Sequence, residues 1–121
     1  MIGIGVDVVE IERFRRSLER TPTMRDRLFT STELEYVARK SDPVPSLAAR
    51  FAAREAVMKS LGVGLGAFGF HEAWVERADS GAPYLGLSGR AAELASSAGV
   101  TRWHLSLTHS DLVAVAYVVA E

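Results

Sequence analysis

Ile2, Ile4, Val6 and Val8 alternate with Gly3, Gly5 and Asp7, which is the period-two pattern of a half-buried strand. The second face of that strand is nearly bare backbone beside a carboxylate. Glycine weakens a strand interior, so two of them flanking the approach to Asp7 signal a close neighbour on that face, and a ligand or a tightly packed helix meets the pattern equally well. From Glu10 to about Leu18 the period changes to that of a helix, with Ile11, Phe14 and Leu18 on one side and Arg13, Arg16 and Arg20 on the other. Thr21-Pro22 ends it, and Met24 to Leu28 allow one more turn. Thr30 with Glu33 predicts a capping box for a helix running to about Lys40. Ser41-Asp-Pro-Val-Pro45 predicts a loop, because two prolines withhold donors, and Ser46 is placed to cap the next helix.

That next helix, ending at Gly62, is the longest helical pattern in the chain. Leu47, Phe51, Val57, Met58 and Leu61 share one side, and Ala48, Ala49, Ala52, Ala53 and Ala56 cover most of the other, so the helix is apolar or small nearly all round and belongs inside. Arg54, Glu55 and Lys59 are set into it. Glu55 and Lys59 stand four apart, one turn from each other, and two readings stay open: an intrahelical salt bridge, or a helix that carries an active site. Gly62-Val-Gly-Leu-Gly66, with Gly69 beyond, offers backbone amides to a phosphate or serves as a flexible connection; it is neither a Walker loop nor a dinucleotide fingerprint. Ala73–Ala78 and Pro83–Leu87 form a predicted hairpin around Asp79-Ser80-Gly81. Ser88 is placed to cap a helix from Gly89 to Ala98, closed by Gly99. Arg102–Thr108 and Leu112–Val119 read as paired strands around His109-Ser110-Asp111. The expected fold is α+β, a long buried central helix packed on a small, mainly antiparallel sheet, in one domain over residues 1–121.

Composition narrows the chemistry. A chain of 121 residues with 48% hydrophobic and 24% charged residues holds a core but no separate cofactor domain. A formal charge of −1 gives no case for nucleic acid or an anionic membrane as partner, and the short apolar run ending at Asp7 predicts neither a secretory signal nor a membrane span. The lack of cysteine excludes a thiol nucleophile and Cys-rich zinc sites and fits a cytoplasmic protein. Of 14 basic side chains only Lys40 and Lys59 are lysines. A lysine kept in so arginine-biased a chain suggests a compact charge that can lose its proton.

Asp7 beside glycines, Glu55 and Lys59 on a buried helix, a glycine cluster and His109 at a strand end share one account. Two carboxylates from different elements can hold magnesium, which keeps waters and completes its shell with substrate phosphates. A nearby lysine suits a phosphate or a proton transfer, so the set points to phosphoryl-transfer chemistry. Three stretches in this order, Gly3-Ile-Gly-Val-Asp7 followed by Arg13, Arg50-Phe-Ala-Ala-Arg-Glu-Ala56 with Lys59 and Leu61-Gly62, and Leu105-Ser-Leu-Thr-His109 before an alanine-rich strand, resemble the holo-acyl-carrier-protein synthases, the small class of 4'-phosphopantetheinyl transferases. That resemblance implies transfer of 4'-phosphopantetheine from coenzyme A to a serine of an acyl carrier protein, with magnesium, releasing adenosine 3',5'-bisphosphate. It implies Asp7 and Glu55 as metal ligands and Lys59 near the coenzyme phosphates, assisting deprotonation of the carrier serine directly or through a metal-bound water. Arg54, Ser60, Gly64, Pro83, Thr108 and His109 are then expected along coenzyme A, and Arg13, Arg20 and Arg27 against an acidic carrier. The usual Lys-Glu-Ala triplet is Arg54-Glu55-Ala56 here, and a guanidinium at 54 can still clamp a phosphate. Relatives commonly form trimers that share sites between subunits, with Asp7 and Glu55 from one and the surroundings of Pro83 and His109 from the next.

Overall fold

Five alanines let one helix lie at the centre of this molecule with other backbone close on several sides. The computed structural model describes all 121 residues, in the order β1 (Gly3–Glu10), α1 (Ile11–Arg20), α2 (Met24–Leu28), α3 (Ser31–Val37), α4 (Val44–Ser60), a 3-10 turn (Phe70–Glu72), β2 (Ala73–Arg77), β3 (Pro83–Leu87), α5 (Gly89–Ser97), β4 (Trp103–His109) and β5 (Val113–Ala120). α4 joins the two halves of the core. Its N-terminal part packs Leu47 with Ile11, Phe14, Leu18, Phe29 and Val37, and its C-terminal part packs Val57 and Met58 with Phe68, Val75 and Val118. The sheet against it is antiparallel in the order β1-β5-β4, with Asp7 and Leu107 both opposite Ala116 of β5, and β2 and β3 form a separate antiparallel pair. The α+β class read from the sequence holds.

β1 turns its small face, not its branched one, to the helix. A side chain at Gly3 would run into the carbonyl of Ser60, and one at Gly5 into the carbonyl of Ala56. Of the two readings of these glycines, close helix packing is the one realised. Ile4, Val6 and Val8 instead line the outer face of the sheet, each close to half exposed, in cross-strand rows with Val119, Tyr117 and Val115 of β5. That face is apolar and uncovered within one chain.

Several element ends differ from expectation for identifiable reasons. α4 begins at Val44, inside the predicted loop, because Pro45 falls in the first turn, where a missing N–H costs nothing, and Asp42 Oδ1 accepts the Val44 N–H at 3.2 Å. Asp42 therefore does the capping expected of Ser46. α3 stops at Val37, three residues early, although its Thr30/Glu33 capping box is present as predicted. Ser88 makes no capping bond; the Glu72 carboxylate reaches across instead and accepts the Arg90 N–H of α5 at 2.6 Å and the Gly69 N–H at 2.5 Å. Those bonds hold the Glu72 carboxyl below its ordinary range. Gly62 and Gly99, at positive φ just past α4 and α5, end their helices as expected.

Candidate active site

The register of β1 on α4 builds the site. Gly3 lies on Ser60 and Gly5 on Ala56, so two strand residues advance beside four helical ones, running the opposite way. The steps match because two residues of strand and four of helix each span roughly 6 Å. Continued by one step, the match carries Asp7 alongside the Ala52–Glu55 turn. Asp7 and Glu55 indeed line one open cleft of about 430 Å³ with Glu10, Arg13, Phe14, Ser17, Met24 and Phe51.

Lys59 does not pair with Glu55. Its Nζ donates to Asp7 Oδ1 at 3.1 Å and to the Val6 carbonyl at 3.0 Å, following the tilt of helical side chains toward the N-terminus. Glu55 is left without a salt bridge. Burial first, then the charge of Asp7, raises its carboxyl above the ordinary 4.5, with Lys59 opposing. No three His, Asp or Glu side chains gather anywhere as a metal cluster. A pair of under-compensated carboxylates with open space beside it nevertheless suits a hard cation that keeps most of its waters, so the donor set fits magnesium.

The other expected residues divide. Ser60 is buried and its hydroxyl donates to the Val57 carbonyl at 2.7 Å, within its own helix. Gly64 is exposed on the segment beyond α4. Thr108 and His109 lie at the end of β4 and line a second, smaller pocket with Lys40, Ser46, Arg50 and Arg77, none of which touches the Asp7 cleft. Pro83 starts β3 opposite Arg77, on the same side. Arg13, Arg20 and Arg27 are exposed on α1 and α2, and Arg13 also lines the Asp7 cleft.

Arg54 requires a correction. Its side chain is 1% exposed, its Nη atoms both bind the buried carboxylate of Glu33, and its Nε donates to the Phe70 carbonyl at 2.8 Å. In this chain the guanidinium is committed inside the core and is not presented as a phosphate clamp. The buried arginine with donors to spare is Arg50, one turn earlier. Its Nε and Nη2 have no partner, only Nη1 donates, to the Ser46 carbonyl at 3.3 Å, and burial lowers its pKa. Its charge is stacked 4.7 Å from the Tyr36 ring centre. The sequence shows Arg50 as a fourth charge on a helix that should be buried, at the head of the Arg50–Ala56 stretch, with nothing to single it out as a donor.

Residues 3–118 match the family model described as the 4'-phosphopantetheinyl transferase superfamily. The chain belongs to that superfamily. A holo-[acyl-carrier-protein] synthase of Streptomyces avermitilis is 52% identical over 122 residues, covering all of this chain and 98% of the relative, and one of Micrococcus luteus is 48% identical over 123 residues, covering all of this chain and 92% of its own. Among solved structures, the Neisseria meningitidis holo-[acyl-carrier-protein] synthase superposes with a TM-score of 0.91 at 31% identity, over 100% of this chain and 98% of that one. The Helicobacter pylori enzyme, solved in complex with coenzyme A, gives 0.82 at 28% identity, over 98% and 99%. As a phosphopantetheinyl transferase, the chain has its Asp7, Glu55 and Lys59 on the two elements that pack most intimately, which is where charge placement is best controlled.

Proposed function

We propose that this protein transfers the 4'-phosphopantetheinyl group of coenzyme A to a serine hydroxyl of an acyl carrier protein, releasing adenosine 3',5'-bisphosphate, in the cytoplasm. The observation that carries this reading is the meeting of Asp7 and Glu55 at one cleft, with Lys59 bonded to Asp7, in a chain of this family. Asp7 and Glu55 would hold a magnesium ion, which supplies neutralisation of the pyrophosphate charge. The serine oxygen bonds to the β-phosphorus as the bond from that phosphorus to the bridging oxygen breaks, the bridging oxygen leaves on the α-phosphate of the nucleotide, and the serine proton passes to solvent water in the open cleft. Lys59, whose ammonium is about half exposed, has the reach to leave Asp7 and donate from Nζ to a phosphate oxygen as charge moves toward the leaving group. Arg50, Lys40 and Arg77 beside Thr108 and His109 supply a cationic pocket for a further phosphate of the coenzyme, and the two free donors of buried Arg50 are its strongest element.

The reading includes a homotrimer. The Asp7 cleft and the His109 pocket share no residue within one chain, and the uncovered Ile4, Val6, Val8 and Tyr117 face is the kind of surface that a second copy covers. Joining one copy's cleft to another's pocket would complete a site that neither forms alone. Arg13, which lines the cleft, would form with the exposed Arg20 and Arg27 a docking surface for an acidic carrier. Incubation with apo carrier protein, coenzyme A and magnesium should add phosphopantetheine to the carrier, read by mass spectrometry. No added mass under any divalent-metal condition would reject the assignment.

A further inference from the structure

Glu33 and Arg54 are each about 1% exposed and meet between α3 and α4. Glu33 uses both oxygens: Oε1 accepts from Arg54 Nη2 and from the Thr30 N–H at 2.9 Å, and Oε2 accepts from Arg54 Nη1 at 3.0 Å and the Val75 N–H at 3.0 Å. Arg54 in turn gives Nε to the Phe70 carbonyl at 2.8 Å and shares Nη1 with the Arg50 carbonyl at 3.2 Å. One buried pair thus ties α3, α4, β2 and the 3-10 turn together.

Two neighbours make this more than a core ion pair. Arg54 precedes Glu55 in the chain, so the rotation of this turn of α4 sets where the Glu55 carboxylate points. Phe70 is where the chain returns after the Gly62–Gly69 segment, whose Gly64–Gly66 stretch is exposed while Phe68 is buried in the core; its backbone bonds are few, with the Val63 N–H on the Met58 carbonyl at its start and the Ala67 N–H on the Gly64 carbonyl within it. Its far end is seated by the buried Phe68 side chain, and its backbone there is held by Arg54 through Phe70 and by Glu72 through Gly69. We propose that Glu33 and Arg54 are a positioning pair, which fixes the far anchor of the 62–69 segment and the orientation of Glu55 and thereby sets affinity for coenzyme A. The inference rests on the metal position proposed above for Glu55 and on Gly64 lying along coenzyme A, as the family resemblance implies.

Arginine is suited to this position because its planar fork meets the two carboxylate oxygens with one edge while Nε points elsewhere; an ammonium carries its donors at a single point. Arg54→Lys therefore keeps the charge opposite Glu33 and loses the tether to Phe70. Hydrogen exchange on the ligand-free enzyme should show faster exchange confined to 62–72. The KM for coenzyme A should rise roughly tenfold with kcat changed far less, a size that small misplacements of site groups produce. Glu33→Gln keeps an acceptor but frees Arg54, and should raise KM in the same direction. A guanidinium that clamped phosphate directly would instead leave segment exchange unchanged in Arg54→Lys and bind coenzyme A no less tightly in Glu33→Gln. Either outcome, or an Arg54→Lys enzyme altered only in melting temperature, overturns the proposal. The exchange measurement needs no turnover, so it separates failure of this idea from failure of the assigned activity.

Discussion

Lys59 reaches from α4 to β1 and binds Asp7 at 3.1 Å, passing over Glu55, its neighbour one turn earlier. The ammonium thereby stands where a cation held by Asp7 would compete with it. With Lys59 about half exposed, the pair is worth no more than about 1 kcal/mol, so a divalent cation can displace it readily. Lys59→Met should strengthen binding of manganese to the ligand-free enzyme by up to roughly fivefold, measured by electron paramagnetic resonance, while lowering kcat by about 100-fold or more. Weaker manganese binding in the variant would show that Lys59 does not compete for Asp7.

The tight seating of β1 on α4 leads to a stability test. At Gly5 an added methyl would fall inside the Ala56 carbonyl, and backbone on both sides leaves little room to yield. Gly5→Ala should cost roughly 2–3 kcal/mol, seen as a lower denaturant midpoint with an unchanged slope. It should also reduce transfer, since Asp7 is two residues along the displaced strand. A variant as stable and active as the parent would contradict the close approach.

The strand was legible in the sequence to within two residues at each end, yet the assignment of its faces needed the structure. Alternation specifies two faces without saying which is covered, and here the glycine face is inward because α4 is lined with alanine and the two backbones can meet. Glu33 shows a similar limit. Its capping box is set by local spacing, whereas its bond to Arg54, 21 residues on, and to Val75, 42 residues on, depends on how α3 and β2 pack. Arg54 was consequently readable as a charge needing an explanation, and only its buried partner distinguishes a core ion pair from a phosphate clamp. Asp7, Glu55 and Lys59 were legible because each breaks a local pattern.

Glu72 provides a pH signature. Its folded-state pKa lies below the ordinary 4.5, with the Gly69 N–H and then the Arg90 N–H as the main causes. The ionised carboxylate therefore contributes stability that is present above pH 4.5 and is lost as pH falls through the depressed value. Glu72→Gln should be less stable than the parent near neutral pH, and the difference should shrink on acidification below 4.5, measured by thermal melts across the acid range. A difference that stays constant down to full protonation would argue against this linkage.

The outer sheet face tests the assembly. Val6 is close to half exposed and faces away from α4, so Val6→Asp should leave the fold of one chain intact while placing a charge where a second copy would sit. Light scattering should show a smaller species, and transfer should fall with it. A complementary measurement mixes inactive Asp7→Ala and His109→Ala chains after dissociation: if sites are shared, some mixed assemblies recover a complete one. Full activity from a monomeric Val6→Asp enzyme would show that one chain suffices.

Arg13, Arg16 and Arg20 share an exposed face of α1, while Arg15 is turned away and held in a two-pronged pair with Asp42. Arg15 thus braces α1 against the start of α4, and the other three remain available to a partner. Exposed charges of this kind act through long-range attraction, so their contribution should weaken as salt rises. The double variant Arg13→Glu, Arg20→Glu should raise the KM for carrier protein at least tenfold at low salt, with the KM for coenzyme A within about twofold of the parent and the difference narrowing at high salt. A magnesium-dependent pyrophosphatase acting on small nucleotides would use the same Asp7 and Glu55 but would be indifferent to both reversals. Unchanged carrier kinetics in the double variant would remove the docking assignment from this face, whereas hydrolysis of a small nucleotide with no carrier turnover in either enzyme would favour the pyrophosphatase.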